Sequence, residues 1–243
     1  MSDVTLHLGD CLDVMRGLPD GCVDAVVTDP PYSVSVKGSV HRGRRGSRNL
    51  DFFAGDDDWR AMTAFVGSVV SECVRVVNDT ASMYFWIGHR QMGEVVSRLE
   101  ANGFTTKFLV WAKKCPPPAP PWSGWPSGAE LCVYAYRPGR TWNIAPADMP
   151  RSNVIVADSF RHGQPGKVAH PTQKPLAVIE PLLTASTSEG DTILDPFMGS
   201  GTTVVACMKT GRKFIGIEID KGYFDIAKRR IEEAVSLGQG HGG

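Results

Sequence analysis

Residues 192–203 read Thr-Ile-Leu-Asp-Pro-Phe-Met-Gly-Ser-Gly-Thr-Thr, and this stretch decides the fold. A short apolar strand is predicted over 192–194, a glycine turn follows it, and a helix is predicted over 202–210. Glycines at such a turn let the backbone approach a ligand closely at the N-terminus of the helix. The stretch therefore indicates a pocket for a nucleotide-like cofactor.

An acidic residue on the next strand indicates which kind of nucleotide-like ligand binds at this turn. The turn itself lacks the third glycine of a dinucleotide fingerprint, and no lysine follows it to form a phosphate-binding loop. Glu218 ends a strand predicted over 213–219, a little over 20 residues after Asp195, where a carboxylate can accept hydrogen bonds from ribose hydroxyls. Unless the spacing is a coincidence, the ligand contains adenosine.

Helical and extended patterns alternate along the chain, which predicts an α/β fold. With 243 residues and 42% hydrophobic composition, we expect one domain over 1–243, built on a mostly parallel twisted sheet with helices on both faces. Residues 137–170 show no clear period. The predicted strands cover 23–28, 81–87, 106–112, 131–136, 192–194 and 213–219, and the predicted helices cover 59–78, 93–101, 175–186, 202–210 and 223–234.

Composition excludes several classes of protein. Lysine plus arginine and aspartate plus glutamate both total 26, so net charge argues neither for nor against nucleic acid. The six cysteines are scattered without a Cys-x-x-Cys pair, which is typical of reduced thiols and not of a zinc site or a disulfide framework. We expect a soluble, cytoplasmic protein, because we find no signal peptide and no apolar run long enough to span a membrane.

A second motif, Asp29-Pro30-Pro31-Tyr32, follows the predicted strand over 23–28. Proline fixes the backbone and removes a donor, so the Asp29 carboxylate and the Pro30 carbonyl can accept hydrogen bonds from an amino group while Tyr32 offers a ring for stacking. Two such acceptors favour the pyramidal form of an aromatic amine, in which its lone pair is available. The alternative is a capped strand-to-loop turn with a surface tyrosine.

Two segments are expected to be inserts that face a polymeric substrate, at 33–58 and 113–167. The first is basic and the second is rich in proline and tryptophan near its start. Basic side chains of this kind can hold phosphate oxygens of nucleic acid, although a solvated loop is an equally good interpretation of charge alone. The candidate substrate contacts are Lys37, Arg42, Arg44, Arg45, Arg48, Trp86, Trp122 and Trp125.

The two motifs together resemble the amino-methyltransferase family of DNA-modifying enzymes. Because the Asp29 motif precedes the Asp195 motif, their order resembles the circularly permuted β class of that family. The resemblance implies a single Rossmann-like S-adenosylmethionine-dependent methyltransferase fold. It also implies methyl transfer from S-adenosylmethionine to an exocyclic amino nitrogen of a flipped-out base, without a metal.

The resemblance also implies roles for individual residues. Asp10 and Cys11 correspond to the segment that contacts the cofactor adenine, and the segment 170–175 corresponds to the one that holds the methionine end. The aromatic strand ending near Trp86 resembles the wall of the target pocket, although such strands are more often core. The implied catalytic residues are Asp29, Pro30, Pro31 and Tyr32, and the implied cofactor residues are Asp10, Cys11, Asp29, His170, Lys174, Asp195, Phe197, Gly199, Ser200, Gly201, Thr202 and Glu218.

There are four alternatives to adenine-N6 methylation. Cytosine-C5 methylation is excluded, because no Pro-Cys dipeptide supplies its nucleophilic cysteine. N4-cytosine methylation uses the same amine chemistry, but permuted enzymes of that specificity more often resemble Ser-Pro-Pro-Tyr, so Asp29 favours adenine N6. A non-catalytic DNA-binding module and a methyltransferase acting on RNA, protein or a metabolite stay open.

The resemblance further implies partners and a cellular setting. Double-stranded DNA is the expected substrate, and a homodimer and a cognate restriction endonuclease are compatible with a restriction-modification role. The expected location is the cytoplasm of a bacterial or phage-infected cell.

Overall fold

The computed structural model describes residues 3–31, 58–116, 125, 127–138, 152–159 and 173–239. The strands in this part of the chain are β1 (Val4–Leu8), β2 (Val23–Thr28), β3 (Val77–Ile87), β4 (Thr105–Lys113), β5 (Ala129–Tyr136), β6 (Val154–Ala157), β7 (Thr192–Asp195) and β8 (Lys213–Glu218). The helices are α1 (Cys11–Arg16), α2 (Asp58–Val76), α3 (Met92–Ala101), α4 (Leu176–Ser186), α5 (Thr202–Lys209) and α6 (Lys221–Gln239).

All eight strands form one sheet in the order β1-β8-β7-β2-β3-β5-β4-β6. Every neighbouring pair is parallel except the two that involve β5, which runs antiparallel to both β3 and β4. The prediction of a mostly parallel sheet is confirmed. Because β5 is reversed, its first residues lie at the same edge of the sheet as the last residues of β3 and β4.

The side chains of β3 show how the sheet divides the core into two layers. Met83, Phe85 and Ile87 pack with α1, α2 and α3 on one face, whereas Tyr84 and Trp86 pack with α4, α5 and α6 on the other. Alternation with a period of two is the natural result of a strand covered on both faces. The helices therefore cover both faces, as predicted.

The centre of the sheet contains a topological switch point. From β2 the chain crosses to β3 on one side, and from β7 it crosses to β8 on the other, while β2 and β7 are themselves paired. The crossover helices, α2 and α5, lie on opposite faces. In open α/β sheets the ligand crevice forms at the carboxyl ends of the strands at such a point.

Three elements were not predicted from the sequence. Strand β1, helix α1 and strand β6 are short, and β6 falls within residues 137–170, where no period was found, so that interpretation is wrong for 154–157. β6 consists of the four residues Val-Ile-Val-Ala and is recruited by parallel pairing with β4. Both β5 and β6 belong to the sheet, which leaves only the segments around them in 113–167 as candidates for inserts.

Boundaries of the predicted elements moved by a few residues. The helix expected over 59–78 ends at Val76, since Val77 pairs with Val23 in the sheet. Asn78 is held outside the helix because its side-chain amide donates to Asp24 Oδ1 at 2.6 Å. In the part of the chain that the structure describes, no helix is long and apolar enough to cross a membrane.

Candidate active site

The end of β2 is fastened directly to the end of β7 at the switch point. Thr28 Oγ1 donates to Asp195 Oδ1 at 2.9 Å, a buried hydrogen bond that joins residues 167 positions apart. Asp29 follows Thr28 at once, Pro30 is buried, and Pro31 is exposed. This bond therefore sets the position of Asp29 relative to the turn that follows Asp195.

The Asp195 carboxylate accepts three hydrogen bonds from donors within the protein. Besides Thr28, it accepts from Thr203 Oγ1 at 2.8 Å and from the Phe197 backbone N–H at 3.1 Å. Burial raises the pKa of Asp195 to about 7 even though these three donors favour the carboxylate. The cofactor contact implied for Asp195 remains a prediction, and its contacts in the structure shape the turn.

The glycine turn adopts backbone conformations that side chains rarely accept. Gly199 has φ 54° and Gly201, the residue before α5, has φ 80°. A Cβ on Gly201 would lie 3.0 Å from the Cβ of Ala227 on α6, so this glycine is required by close approach as well as by conformation. Arg230 of α6 donates to the Ser200 carbonyl at 2.7 Å and holds the turn against the helix.

The other two turn residues implied to bind cofactor are buried or half-buried. Thr202, the first residue of α5, is buried, and Phe197 is half-buried with its ring 6.0 Å from that of Phe65 in an edge-to-face contact. Both lie beside the crevice, one at the helix N-terminus and one on the side of α2.

Glu218 connects the glycine turn to the end of β8. Its two carboxylate oxygens each accept one backbone N–H at 2.8 Å, from Gly199 and from Asp220. A carboxylate has further lone pairs beyond these two bonds, so it can still accept from hydroxyl groups of a ligand. Burial raises the pKa of Glu218 above its ordinary value, although the backbone donors oppose the shift.

The segment at Asp10 lies beside Glu218, because the Gly9 N–H donates to the Glu218 carbonyl at 2.9 Å. Asp10 caps α1, and its Oδ1 accepts from Leu12 N–H at 2.9 Å. The Cys11 side chain is packed in the core, and burial raises the pKa of its thiol to about 12. Only the backbone of Cys11 is therefore available for the predicted cofactor contact.

Two exposed apolar side chains that sequence reasoning missed flank Glu218. Leu8, which pairs with Glu218 in the sheet, is 48% exposed, and Ile219, which follows it, is 55% exposed. Large apolar groups left in water beside a buried acid are typical of a ligand-binding surface. No pattern in the sequence separates them from the apolar residues of the strands.

On the other side of the switch point, four charged side chains of alternating sign form a chain. Lys174 Nζ lies 2.5 Å from Asp29 Oδ2 and 2.9 Å from Glu130 Oε2, and Lys113 Nζ lies 2.8 Å from Glu130 Oε1. The Lys174 side chain is only 6% exposed, and its ammonium lies 5.6 Å from the centre of the Trp86 ring. We call Lys113, Glu130, Lys174 and Asp29 the charge chain.

The charge chain changes the acidity of its two carboxylates in opposite directions. Burial raises the pKa of Asp29, an effect that Lys174 opposes and Glu130 reinforces. Burial would also raise the pKa of Glu130, but Lys174 and Lys113 together hold it below its ordinary value. Oδ1 of Asp29 is buried and has no hydrogen-bond partner in the described part of the chain, so a buried acceptor is available there.

Several predicted residues are placed differently from the expectation or lie outside the described residues. Trp86 is 1% exposed and its ring lies beside the Lys174 ammonium, which agrees with the core alternative for this strand and not with a substrate contact, whereas Trp125 is 95% exposed. Lys174 contacts Asp29 and Glu130, and its implied role at the methionine end stays a prediction. The residues outside the described part are Tyr32, Lys37, Arg42, Arg44, Arg45, Arg48, Trp122 and His170.

Sequence reasoning also missed Glu130 and Lys113. Both stand at strand ends that meet at the same edge of the sheet only because β5 is reversed, which no local pattern reveals. In the described ranges, no group of three or more histidine, cysteine, aspartate or glutamate side chains is placed to hold a metal ion.

A family model described as DNA methylase, for N6 and N4 methyltransferases, matches residues 23–229. The chain belongs to this DNA methylase family. The match includes both motifs and the switch point between them, and it confirms the resemblance drawn from the sequence.

Curated relatives of this DNA methylase are Type II methyltransferases. The chain is 27% identical to M.HinfI of Haemophilus influenzae, over 94% of this chain and 68% of the relative. It is 25% identical to M.HpaI of Haemophilus parainfluenzae, over 95% of this chain and 74% of the relative.

Solved structures of similar proteins confirm the methyltransferase fold. The M1.HpyAVI–SAM complex superposes with a TM-score of 0.69 at 26% identity, covering 94% of this DNA methylase and 99% of that chain. The PvuII DNA methyltransferase, described as cytosine-N4-specific, gives a TM-score of 0.75 at 16% identity, covering 98% and 92%. The second likeness concerns the fold alone.

Proposed function

We propose that this DNA methylase transfers a methyl group from S-adenosylmethionine to N6 of adenine in a base flipped out of duplex DNA. The observation that carries the proposal is the buried Oδ1 of Asp29, an acceptor without a partner in the described part of the chain, at the carboxyl end of β2. A hydrogen-bond acceptor buried without a partner costs free energy in the free protein, and an amino group of the substrate would satisfy it.

S-adenosylmethionine binds in the crevice on the β7–β8 side of the switch point. Glu218 would accept hydrogen bonds from its ribose, Leu8 and Ile219 would line the adenine, and the glycine turn would lie against the rest of the molecule. The likeness to M1.HpyAVI, which was solved with SAM, supports this cofactor. The remaining implied cofactor residues are Asp10, Cys11, Asp29, His170, Lys174, Asp195, Phe197, Ser200 and Thr202.

The exocyclic amine of a base is a poor nucleophile, and the residues of the Asp29 motif would activate it. When bound, S-adenosylmethionine would supply an electrophilic methyl group: its sulfur–methyl bond would break as the amino nitrogen bonds the methyl carbon, S-adenosylhomocysteine would leave, and the nitrogen would release one proton. Asp29 Oδ1 and the Pro30 carbonyl accept hydrogen bonds from the two amino protons, which favours the pyramidal nitrogen and directs its lone pair. Lys174 occupies Oδ2, so Asp29 presents one oxygen to the base, and the mechanism forms no covalent bond between enzyme and base.

Base extraction and DNA contact are assigned to the segments around the sheet. Flipping costs a few kcal/mol for a paired base, and stacking on Tyr32 would offset part of that cost. Residues 33–58 and the segments around β5 and β6 are predicted to contact DNA, and Lys37, Arg42, Arg44, Arg45 and Arg48 are the predicted phosphate contacts. The likeness to Type II methyltransferases supports duplex DNA as the substrate, and a homodimer and a cognate endonuclease stay predictions.

The choice of adenine over cytosine rests on the first residue of the motif. It is Asp29 here, whereas the permuted N4-specific enzymes more often have serine at that position. The experiment is to incubate the enzyme with unmethylated genomic DNA and S-adenosylmethionine, digest the DNA, and quantify N6-methyladenine and N4-methylcytosine by mass spectrometry. The Asp29→Ala variant is the control for contaminating activity. N6-methyladenine alone supports the proposal, whereas N4-methylcytosine, or no methylated base, refutes it.

A further inference from the structure

The charge chain contains one carboxylate, Glu130, that the amine chemistry leaves without a role. It lies near the start of β5, 24% exposed, and bridges two ammonium groups at 2.8 and 2.9 Å. Its two lysine partners, Lys113 and Lys174, are only 12% and 6% exposed, so these ion pairs carry a desolvation cost. Exposed lysine and glutamate side chains would not carry this free-energy cost. We therefore expect the arrangement to have a function, and Asp29 is the catalytic group that it contacts.

We propose that Glu130 is a positioning residue for methyl transfer: it fixes Lys174 so that the ammonium occupies Oδ2 of Asp29 and leaves Oδ1 for the amino group. This inference rests on the proposed function, in that Asp29 must be the acceptor of the amine. Lys113 in turn holds the far oxygen of Glu130, so the anchor reaches from β4 through β5 to the active site.

Geometry explains why such an anchor is needed. A lysine side chain has four rotatable bonds and loses considerable conformational freedom when it is fixed. Lys174 immediately precedes Pro175, the residue before α4, so its backbone is held while its ammonium must reach across to the end of β2. Besides Asp29, the ammonium contacts Glu130 at 2.9 Å and lies 5.6 Å from the centre of the Trp86 ring.

Loss of Glu130 could change the pKa of Asp29 in either direction, depending on whether Lys174 stays in place. Asp29 is affected by Lys174 and Glu130, and Asp195 lies close enough for its own acidity to respond to Asp29. If Lys174 stayed in place, removal of the Glu130 charge would lower the pKa of Asp29. If Lys174 is released, Asp29 loses the larger, favourable contact and its pKa rises.

The test compares Glu130→Met, Glu130→Gln and Lys113→Met with wild type, and uses Glu94→Gln as a matched control. Glu94 forms a similar pair with Arg98 on α3, on the opposite face of the sheet. Methyl transfer is measured against pH under single-turnover conditions, and the ionisation of Asp29 is followed by carbon NMR in the protein without DNA. The NMR arm needs no activity, so it stands even if the proposed function fails.

We expect Glu130→Met to reduce the transfer rate at saturating S-adenosylmethionine about tenfold or more, and to shift the acid limb and the Asp29 titration to higher pH. Glu130→Gln, whose amide oxygen can still accept from Lys174, should lie between Met and wild type, and Lys113→Met should have a smaller effect. A shift to lower pH, or no shift in folded protein, overturns the proposal, and Glu130→Gln decides if the Met variant does not fold.

Discussion

Replacing Asp29 by asparagine tests the central step, because the change keeps the shape of the side chain and removes its charge. Lys174 lies 2.5 Å from Oδ2 and requires an acceptor there, so the new amide places its oxygen toward Lys174. Its NH₂ group then points where the amino group of the base must donate. The variant therefore loses an acceptor and presents a donor in its place.

The size of the effect follows from the bond that is lost. A hydrogen bond to a charged acceptor contributes about 1.5–3 kcal/mol, and about 1.4 kcal/mol corresponds to a factor of ten. Since two donors would also oppose each other, we expect the upper end of this range, a loss of about 100-fold or more in the single-turnover rate. Stability should not fall, because burial already disfavours the Asp29 carboxylate and Lys174 keeps Glu130 as a partner.

The assay measures transfer of tritiated methyl groups to DNA, with cofactor affinity measured by calorimetry and unfolding by thermal melting. Asp225→Asn is the control, since Asp225 also pairs with a lysine, Lys221, but on the surface of α6. A transfer rate within about threefold of wild type for Asp29→Asn would refute the assigned chemistry. A rate loss that disappears at saturating S-adenosylmethionine would refute it as well.

Three further changes address the cofactor side of the switch point. Gly201→Ala, at φ 80° and with its Cβ 3.0 Å from that of Ala227, should lower the free energy of unfolding by about 2–4 kcal/mol and weaken S-adenosylmethionine binding; an unchanged denaturant midpoint would contradict this. Glu218→Gln places an amide NH₂ against one of the two backbone N–H groups, so cofactor affinity in calorimetry should fall about tenfold with little change in the rate at saturation, and a pure rate effect would argue against the ribose role. Burial raises the pKa of Asp195 to about 7. Its contribution to stability is therefore present below the pKa that Asp195 has in the unfolded chain and is lost as pH rises through about 7. Asp195→Asn should flatten the fall in melting temperature over that pH range, and an unaltered pH dependence would show that Asp195 does not titrate there.

Local sequence was sufficient for the elements that carry the two motifs. β2 was predicted over the residues it occupies, because a β-branched run that stops at two prolines has few other solutions. α5 and β8 were similarly well predicted, since the glycines after β7 and the acid at Glu218 mark their ends. β2 lies in the interior of the sheet between β7 and β3, where burial on both faces makes the apolar pattern continuous.

The residues that could not be predicted depend on distant chain segments meeting at one edge. Lys174 reaches Asp29 across 145 positions, and Glu130 joins them only because β5 is antiparallel to β3. Neither fact leaves a trace in local periodicity. The four residues of β6 are recognisable as extended by their β-branched side chains, but only pairing with β4 makes them a strand.

The permuted order of the motifs has a physical explanation in the pairing of β2 with β7. Asp29 and Asp195 are far apart in sequence, yet the bond between Thr28 and Asp195 joins the ends of their strands inside the core. The crevice needs these two ends to be neighbours, and it does not matter which strand the chain makes first. Cofactor and amino group would then meet where this hydrogen bond joins β2 to β7. A Thr28 variant that cannot form the bond should misalign the Asp29 motif and the glycine turn without removing a contact to either ligand.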